Sequence, residues 1–244
     1  MKAICKAEMI KMKRSSAYLL AVAGPIFTMI LCIILTLGVG DLFQYGAMNW
    51  WYTMILPGVL ALICASSIQR DSKINYYGVM SLPISKEKLW LSKIIICCAI
   101  YLGATAIMIM GTILGGALLG ARVSLSNMMI AGIVLFITFL WQIPLMLLLV
   151  QKTSMGIAVV TNMFMNILGV AKFAPESNWF LFPFAIPSRL MCPIIGVLPN
   201  GLPVETGSSL LNTNVIIPGI AISIVLFVLL TFMTMKMFSK LEVR

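Results

Sequence analysis

Long apolar stretches without a charged side chain dominate this chain and constrain its fold more than any other feature. A helix of about 20 apolar residues crosses the roughly 30 Å hydrocarbon layer of a membrane, because its backbone hydrogen bonds are all made within the segment. Apolar residues make up 61% of the 244, well above the usual share in soluble domains. The sequence therefore predicts an all-α polytopic membrane protein with six transmembrane helices, at Ala17–Val39, Trp51–Ile68, Ile94–Leu119, Met128–Val150, Met155–Ala171 and Val215–Met235.

The distribution of basic residues predicts how these helices are oriented. All 17 Lys and Arg residues except Arg122, Lys172 and Arg189 fall in the N-terminal segment, the second and fourth loops or the C-terminal tail. Cytoplasmic loops carry an excess of Lys and Arg, so both termini are predicted to be cytoplasmic. The same rule accounts for the net charge of +10, and we therefore expect no nucleic-acid partner.

Several kinds of chemistry are disfavoured by what the sequence lacks. The chain contains no His, so the usual imidazole base, proton relay and metal ligand are missing. The predicted spans contain no Asp, Glu, Lys or Arg, which disfavours a proton-driven pump. There is no GxxxxGKS/T phosphate loop, so the chain cannot hydrolyse a nucleotide by that route. We expect no catalytic residue, metal or cofactor of its own, and any uphill transport would draw energy from another subunit.

Two segments on the predicted cytoplasmic side could contact a partner. Residues 69–93 form the loop between the second and third spans, and Ser85 is a candidate helix N-cap two residues after Pro83. An apolar and aromatic strip precedes this helix start, which suits either a docking helix or a helix lying on lipid headgroups. Residues 1–16 predict a basic interfacial helix, which either lies along the inner leaflet or contacts a cytoplasmic partner.

Residues 174–214, between the fifth and sixth spans, are rich in proline and aromatic side chains. Repeated prolines break helices, so a broken or re-entrant hairpin at the outer surface is predicted. Its aromatic side chains are either an apolar surface for a substrate or an aromatic belt at headgroup level. Its acids would attract a cationic amphiphile, and Arg189 either neutralises an acid or meets a phosphate. The candidate substrate contacts are Trp179, Phe180, Phe182, Phe184, Glu176, Glu205 and Arg189.

Three amide side chains lie inside the predicted spans. Asn162 and Asn166 are four residues apart and share one face of the fifth helix, and Gln142 precedes Pro144 in the fourth. Such amides most often form hydrogen bonds with a neighbouring helix. The alternative is that Gln142, Asn162 and Asn166 line a translocation pathway.

The basic N-terminus, the six spans and the second-loop element YGVMSLPISKEKLWLSK together resemble the ABC type-2 export permeases. The resemblance covers essentially the whole chain. It implies that the loop between the second and third spans carries a coupling helix, which seats in a groove of a separate ATPase subunit. The residues of this loop assigned to ATPase coupling on that resemblance are Tyr76, Tyr77, Leu82, Pro83, Ser85, Lys86, Glu87, Lys88 and Trp90.

Within that superfamily the chain resembles the permease subunits of lantibiotic-immunity transporters. The resemblance rests on the chain length and on the stretch PFAIPSRLMCPIIGVLPNGLP at residues 183–203. It implies a bacterial plasma-membrane complex of an ATPase homodimer with two permease chains, often two different ones, in which ATP and Mg²⁺ bind the ATPase. The substrate would be a lantibiotic-type peptide, expelled from the membrane to give immunity or resistance.

Two other functions are compatible with the sequence. The chain could export another amphiphile, such as a lipid or another antibiotic, with the same architecture. It could also be a membrane sensor or scaffold that binds the peptide without moving it. An ATPase that copurifies with the chain would distinguish a transporter from a sensor.

Overall fold

The computed structural model describes residues 1–36, 42–73, 76 and 84–240. Within these residues the regular structure is helical, apart from an isolated bridge between Val197 and Pro203. The α-helices are α1 Lys2–Lys13, α2 Ala17–Leu35, α3 Phe43–Trp50, α4 Leu56–Lys73, α5 Lys86–Leu119, α6 Leu125–Phe139, α7 Gln142–Lys152, α8 Met155–Leu168, α9 Ile186–Ile195 and α10 Ile216–Ser239. Two π-helical turns, Trp51–Ile55 and Gly169–Phe173, join α3 to α4 and extend α8. Four short 3₁₀ turns lie at Trp179–Leu181, Pro183–Ala185, Ser209–Leu211 and Thr213–Val215.

The helices long and apolar enough to cross a membrane agree with the prediction of an all-helical polytopic membrane protein, which is confirmed. The described residues contain five such helices, and six if the bent pair of α6 and α7 counts as one span. The five are Ala17–Leu35, Phe43–Lys73, Lys86–Leu119, Met155–Phe173 and Thr213–Ser239.

The helices on both sides of the second loop are longer than the sequence predicted. α4 continues to Lys73 and α5 begins at Lys86, so only residues 74–85 separate the two helices, whereas 69–93 was predicted as loop. The beginning of α5 follows the predicted cap, because Ser85 has extended backbone and its Oγ accepts a hydrogen bond from the Lys88 N–H. The first turns of α5 are therefore continuous with the third span.

Prolines account for two irregular places within the spans. α6 and α7 meet at an angle of 40°, just before Pro144, which has no N–H to continue the helical hydrogen bonds. Pro57 likewise gives no N–H to the preceding turn, and there the Leu56 N–H binds the Trp51 carbonyl in a π-helical turn. Neither irregularity ends the apolar span.

The centre of the bundle is formed by α4 and α5, around which the other helices pack. α5 contacts α2, α3, α6 and α10, while α4 contacts α7 and α8. Glycines on α5 permit the closest approaches: a Cβ on Gly111 would lie 2.0 Å from the Met29 sulfur, and one on Gly115 would lie 2.2 Å from the Phe43 ring. The outward faces of α2 and α10 remain exposed and apolar, as expected for lipid contact.

The bundle has two distinct ends. The first, called the basic end here, contains α1, the end of α4, the start of α5 and the end of α10, which contact one another through Lys11–Asp71 and Trp90–Thr234. At the opposite end, the Gln44 side chain accepts hydrogen bonds from the N–H groups of Arg122 and Val123.

Residues 174–214 form a compact structure at the opposite end. α9 has only ten residues, is almost entirely buried and packs against α6. It ends at Gly196, whose φ of 70° is the left-handed conformation that glycine adopts readily. The chain then turns at residues 198–202, where the Leu198 N–H binds the Leu202 carbonyl. Residues 174–214 thus contain a short buried helix followed by a return segment, defined here as residues 197–214.

Candidate coupling site at the basic end

A buried cluster of four charged side chains joins three separate segments at the basic end. The Lys93 ammonium lies 2.5 Å from Asp71 Oδ2 and 2.9 Å from Glu8 Oε2, and it also donates to the Ser67 carbonyl at 3.0 Å. Lys11 contacts the other oxygen of each acid, at 2.6 Å from Glu8 and 3.1 Å from Asp71. The two ammonium groups and two carboxylates alternate, so the cluster is neutral.

Burial of these charges costs free energy unless each charge is paired. Lys93 is completely buried and both carboxylates are nearly so, while Lys11 is about one-third exposed. Charges removed from water are stable only when paired and hydrogen-bonded, and removing one partner leaves an uncompensated charge. The helices that supply these four residues, α1, α4 and α5, are therefore expected to stay together at this point.

Lys11 is expected to remain charged throughout the neutral range. Burial alone would lower its pKa, but hydrogen bonds and charge from Glu8 and Asp71 outweigh burial and raise the pKa above its ordinary value of 10.5. A cation whose pKa is raised on folding stabilises the fold at lower pH and loses that contribution only as pH rises through the raised value. The contribution of Lys11 to the cluster is therefore retained near neutral pH.

A second contact fixes the C-terminal end of α1. The Arg70 guanidinium, on α4, donates hydrogen bonds to the carbonyls of Lys11 and Arg14. Lys11 lies in the last turn of α1 and Arg14 is its C-cap, and this end of a helix attracts cations. α1 is therefore attached to α4 both by its side chains and by its terminal carbonyls.

On the other side of the loop, an aromatic cluster joins the start of α5 to the end of α10. The Trp90 indole is fully buried, donates to Thr234 Oγ1 at 2.9 Å and stacks on Phe238 with ring centroids 4.7 Å apart. Tyr76 meets the same Phe238 ring edge-on at 6.0 Å. The loop that connects α4 to α5 is thus bounded by the ionic cluster and by this aromatic cluster.

Tyr76 has an unusual backbone for its residue type. Its φ is 60°, in the left-handed region, and its N–H binds the Asp71 carbonyl at 2.8 Å. Burial and, to a smaller extent, the charge of Asp71 raise the pKa of Tyr76 to about 12. Strained backbone of this kind persists only where surrounding contacts hold it, which fits its position between Asp71 and Phe238.

The predicted coupling residues divide into three groups in the structure. Ser85, Glu87 and Lys88 are exposed, and Lys86 is partly exposed in the same first turn of α5. Tyr76 and Trp90 are buried and contact α10 instead of presenting a surface. Tyr77, Leu82 and Pro83 lie outside the described residues. An exposed, charged helix start therefore rests directly on two buried clusters, so force applied to it would reach α1, α4, α5 and α10.

The ionic cluster was missed by sequence reasoning. Lys93 was assigned to a cytoplasmic loop, and Glu8 and Asp71 were simply acids among many cations. Glu8 and Lys11 are three residues apart and share one helix face, so an ion pair between them could have been predicted from the sequence. Nothing in the sequence pattern, however, placed Lys93 between two acids from other segments, because this depends on tertiary packing.

The three predicted pathway amides bind one another and α4. The Gln142 and Asn166 side chains exchange hydrogen bonds at 3.3 Å, and Asn166 also donates to the Asn162 carbonyl at 2.8 Å. Asn162 donates to the Pro57 carbonyl at 2.9 Å. All three amides are buried. Within one chain they hold α4, α7 and α8 together through hydrogen bonds between helices, the role that such amides most often have.

Replacing Asn166 with Ala is expected to lower the free energy of unfolding by about 1 kcal/mol, because Gln142 loses its partner inside the bundle. A matched control is Thr161→Ala, which lies on the exposed side of the same helix. Reversible unfolding in mixed micelles would measure both variants. Equal stability of Asn166→Ala and Thr161→Ala would contradict a structural role for the network.

The candidate substrate contacts do not form one surface. Trp179 and Phe184 are buried, the latter edge-on to Trp141 at 4.7 Å, while Phe182 stacks on Phe173 at 4.4 Å. Phe180 is 46% exposed. The carboxylates at positions 176 and 205 are also exposed. Much of the aromatic cluster therefore stabilises the end of α8, leaving Phe180 and the two acids accessible.

Arg189 is nearly buried within the same segment. Its guanidinium donates to the carbonyl of Leu210 at 2.7 Å and to that of Ser209 at 3.4 Å. These main-chain contacts, and not Glu176 or Glu205, are the partners that the structure gives it. Arg189 therefore fixes the return segment onto α9.

A cavity of about 410 Å³ opens at the opposite end, between the two π-helical turns and the return segment. None of the predicted substrate contacts lines it. The Thr53 hydroxyl, a lining group, is buried without a hydrogen-bond partner in the structure. The residues that line the cavity are Thr53, Ile167, Val170, Ala171, Pro175, Leu198, Pro199, Asn200 and Leu210.

The architecture and the basic-end site define a polytopic helical membrane protein in which buried clusters hold the helix ends beside the loop between its second and third spans. The family model of the ABC-2 family transporter protein matches residues 4–174, which include most of α1, the ionic cluster and this loop. The chain therefore belongs to the ABC-2 transporter family. No curated protein and no solved structure matches it.

Proposed function

We propose that this chain is the permease subunit of an ATP-driven exporter that expels a lantibiotic-type peptide from the membrane and so gives immunity or resistance. Membership of the ABC-2 family already implies an ABC transporter permease and a partner ATPase. The proposal adds the substrate, its direction of transport and the mode of coupling. It also includes an ATPase homodimer and a second, non-identical permease chain in a bacterial plasma membrane.

The observation that carries the coupling part is the arrangement under the second loop. The exposed turn of α5 that contains Glu87 and Lys88 continues directly into the helix that bears Trp90 and Lys93. A partner that pushes this turn would move α5 together with α1 and α4, because Lys93 is held by acids from both. Closure of an ATPase dimer on ATP would thus be transmitted as a rigid-body movement of the spans.

The excess of cations supports a cytoplasmic basic end. α1 and the loop from α4 to α5 would then face the ATPase, and residues 174–214 would face outward. At the outward end, Phe180, Glu176 and Glu205 are exposed, which suits a peptide that combines apolar and cationic groups. The cavity at the same end of the bundle has a mostly apolar lining and a size within the usual range for ligand sites.

The coupling proposal predicts that Lys88→Glu weakens retention of the ATPase at least about tenfold, since charge reversal in a docking surface costs more than 1.4 kcal/mol. Lys236→Glu is the matched control, because Lys236 is also exposed at the basic end but lies on α10. The measurement is copurification of the coexpressed ATPase from detergent extracts, with thermal stability recorded for each variant.

The substrate proposal is tested with the same complex. ATP hydrolysis that rises on addition of a lanthionine peptide, and not with a linear cationic peptide of similar charge, is the expected result. If ATP hydrolysis by the copurified ATPase rises with lipid but not with lanthionine peptides, the result would favour export of another amphiphile. Recovery of the chain alone would favour a non-transporting sensor and overturn the coupling argument.

A further inference from the structure

A small polar cavity at the basic end has no role in the mechanism above. It encloses about 200 Å³ between the turn from α1 to α2 and the last two turns of α4. Cationic and uncharged polar side chains line it, with no acid among them: Ser15, Ser16, Ser66, Gln69, Arg70 and Lys73. A cavity of this composition attracts an anion.

The donors that face this cavity are only partly used. Lys73 is exposed and has no acidic partner among the described residues, so its three N–H donors are available. Arg70 has five N–H donors, of which the carbonyls of Lys11 and Arg14 take two. The Ser16 side chain is exposed and makes no capping bond.

The start of α2 adds to the positive potential. Ser16 is the N-cap of this 19-residue helix, so the first turn of α2 begins at the cavity. Helix N-termini carry unpaired N–H groups and bind phosphate readily. Asp71, which follows Arg70 in sequence, directs both carboxylate oxygens to Lys11 and Lys93 and is almost completely buried. It therefore neither blocks nor neutralises the cavity.

We propose that this cavity binds a phosphate group, and that its source is the headgroup of an anionic phospholipid. Ser16 immediately precedes the apolar span, which places the cavity at the depth of lipid phosphates. One turn further along, α2 exposes a stripe of Leu19, Val22 and Ile26, against which acyl chains can lie. Basic pockets between transmembrane helices are known to hold anionic headgroups. A bound lipid would reinforce the contact between α1 and α4.

The test uses the full chain, purified in a neutral detergent and mixed with micelles containing either phosphatidylglycerol or phosphatidylcholine. Native mass spectrometry counts the retained lipids, and thermal unfolding measures stabilisation. Phosphatidylglycerol is expected to be retained preferentially, and Lys73→Gln is expected to weaken its binding about fivefold. Lys236→Gln removes an exposed charge from α10 at the same end and should leave binding unchanged.

The outcomes separate the two sources of phosphate. Preferential retention of phosphatidylglycerol that inorganic phosphate does not displace supports the lipid as the source. If inorganic phosphate alone displaces the bound phosphatidylglycerol, the cavity binds a free anion and the lipid source is overturned. Equal retention of the two lipids, or equal weakening by Lys236→Gln, would overturn the site itself. No ATPase takes part in this measurement, so its failure leaves the transport proposal untouched.

Discussion

Replacing Lys93 with Met is expected to lower the free energy of unfolding by about 3–5 kcal/mol, the usual cost of removing one partner from a buried ion pair. Lys93 is completely buried between Asp71 and Glu8, so its loss leaves two carboxylates close together with only Lys11 to balance them. Methionine preserves much of the side-chain volume, so the effect reports charge rather than a cavity. The measurement is reversible unfolding in mixed micelles.

A charge-matched variant separates lost pairing from general damage. Lys93→Met combined with Asp71→Asn removes one charge of each sign and leaves Glu8 paired with Lys11. This double variant should recover a substantial part of the lost stability, because buried ion pairs replaced as a unit often cost little. If the double variant were as unstable as the sum of its single changes, the cluster would not act as a coupled unit.

The membrane-spanning helices were predictable because the bilayer imposes a simple rule. A span must be a continuous apolar run of sufficient length, and the predicted starts at Ala17 and Met155 coincide with helix starts in the structure. The cap at Ser85 was predictable for a similar reason, since an N-cap is a local hydrogen bond between neighbours in sequence.

The site at the basic end was less predictable because its residues are distant in sequence. Glu8, Asp71 and Lys93 meet only after three helices have packed. The distribution of charges along the sequence could predict only that they lie on the same side of the membrane. Trp90 illustrates the same limit. Its place in the loop element that resembles a coupling helix suggested a docking surface, whereas its partners Thr234 and Phe238 lie near the other end of the chain.

Burial of Trp90 changes what its substitution should do. Trp90→Ala is expected to cost about 3–5 kcal/mol of unfolding free energy, because it removes a large buried ring and leaves a cavity. The same change separates α5 from the end of α10, since the ring supplies both the stacking on Phe238 and the hydrogen bond to Thr234. In a complex that still holds its ATPase, ATP hydrolysis should then respond less to substrate.

Two milder variants divide the contribution of Trp90 into its parts. Trp90→Phe keeps an aromatic ring against Phe238 and loses the indole N–H, so it should cost about 1 kcal/mol. Thr234→Val leaves the indole in place but unpaired, with an expected cost of about 1–3 kcal/mol. Near-normal stability of Trp90→Ala would mean that Trp90 is a surface residue, which would restore the original prediction of direct ATPase contact. A large loss of stability in Trp90→Ala with a small loss in Trp90→Phe would show that ring packing links α5 to α10. Movement of the loop would then be transmitted to α10 through this packing.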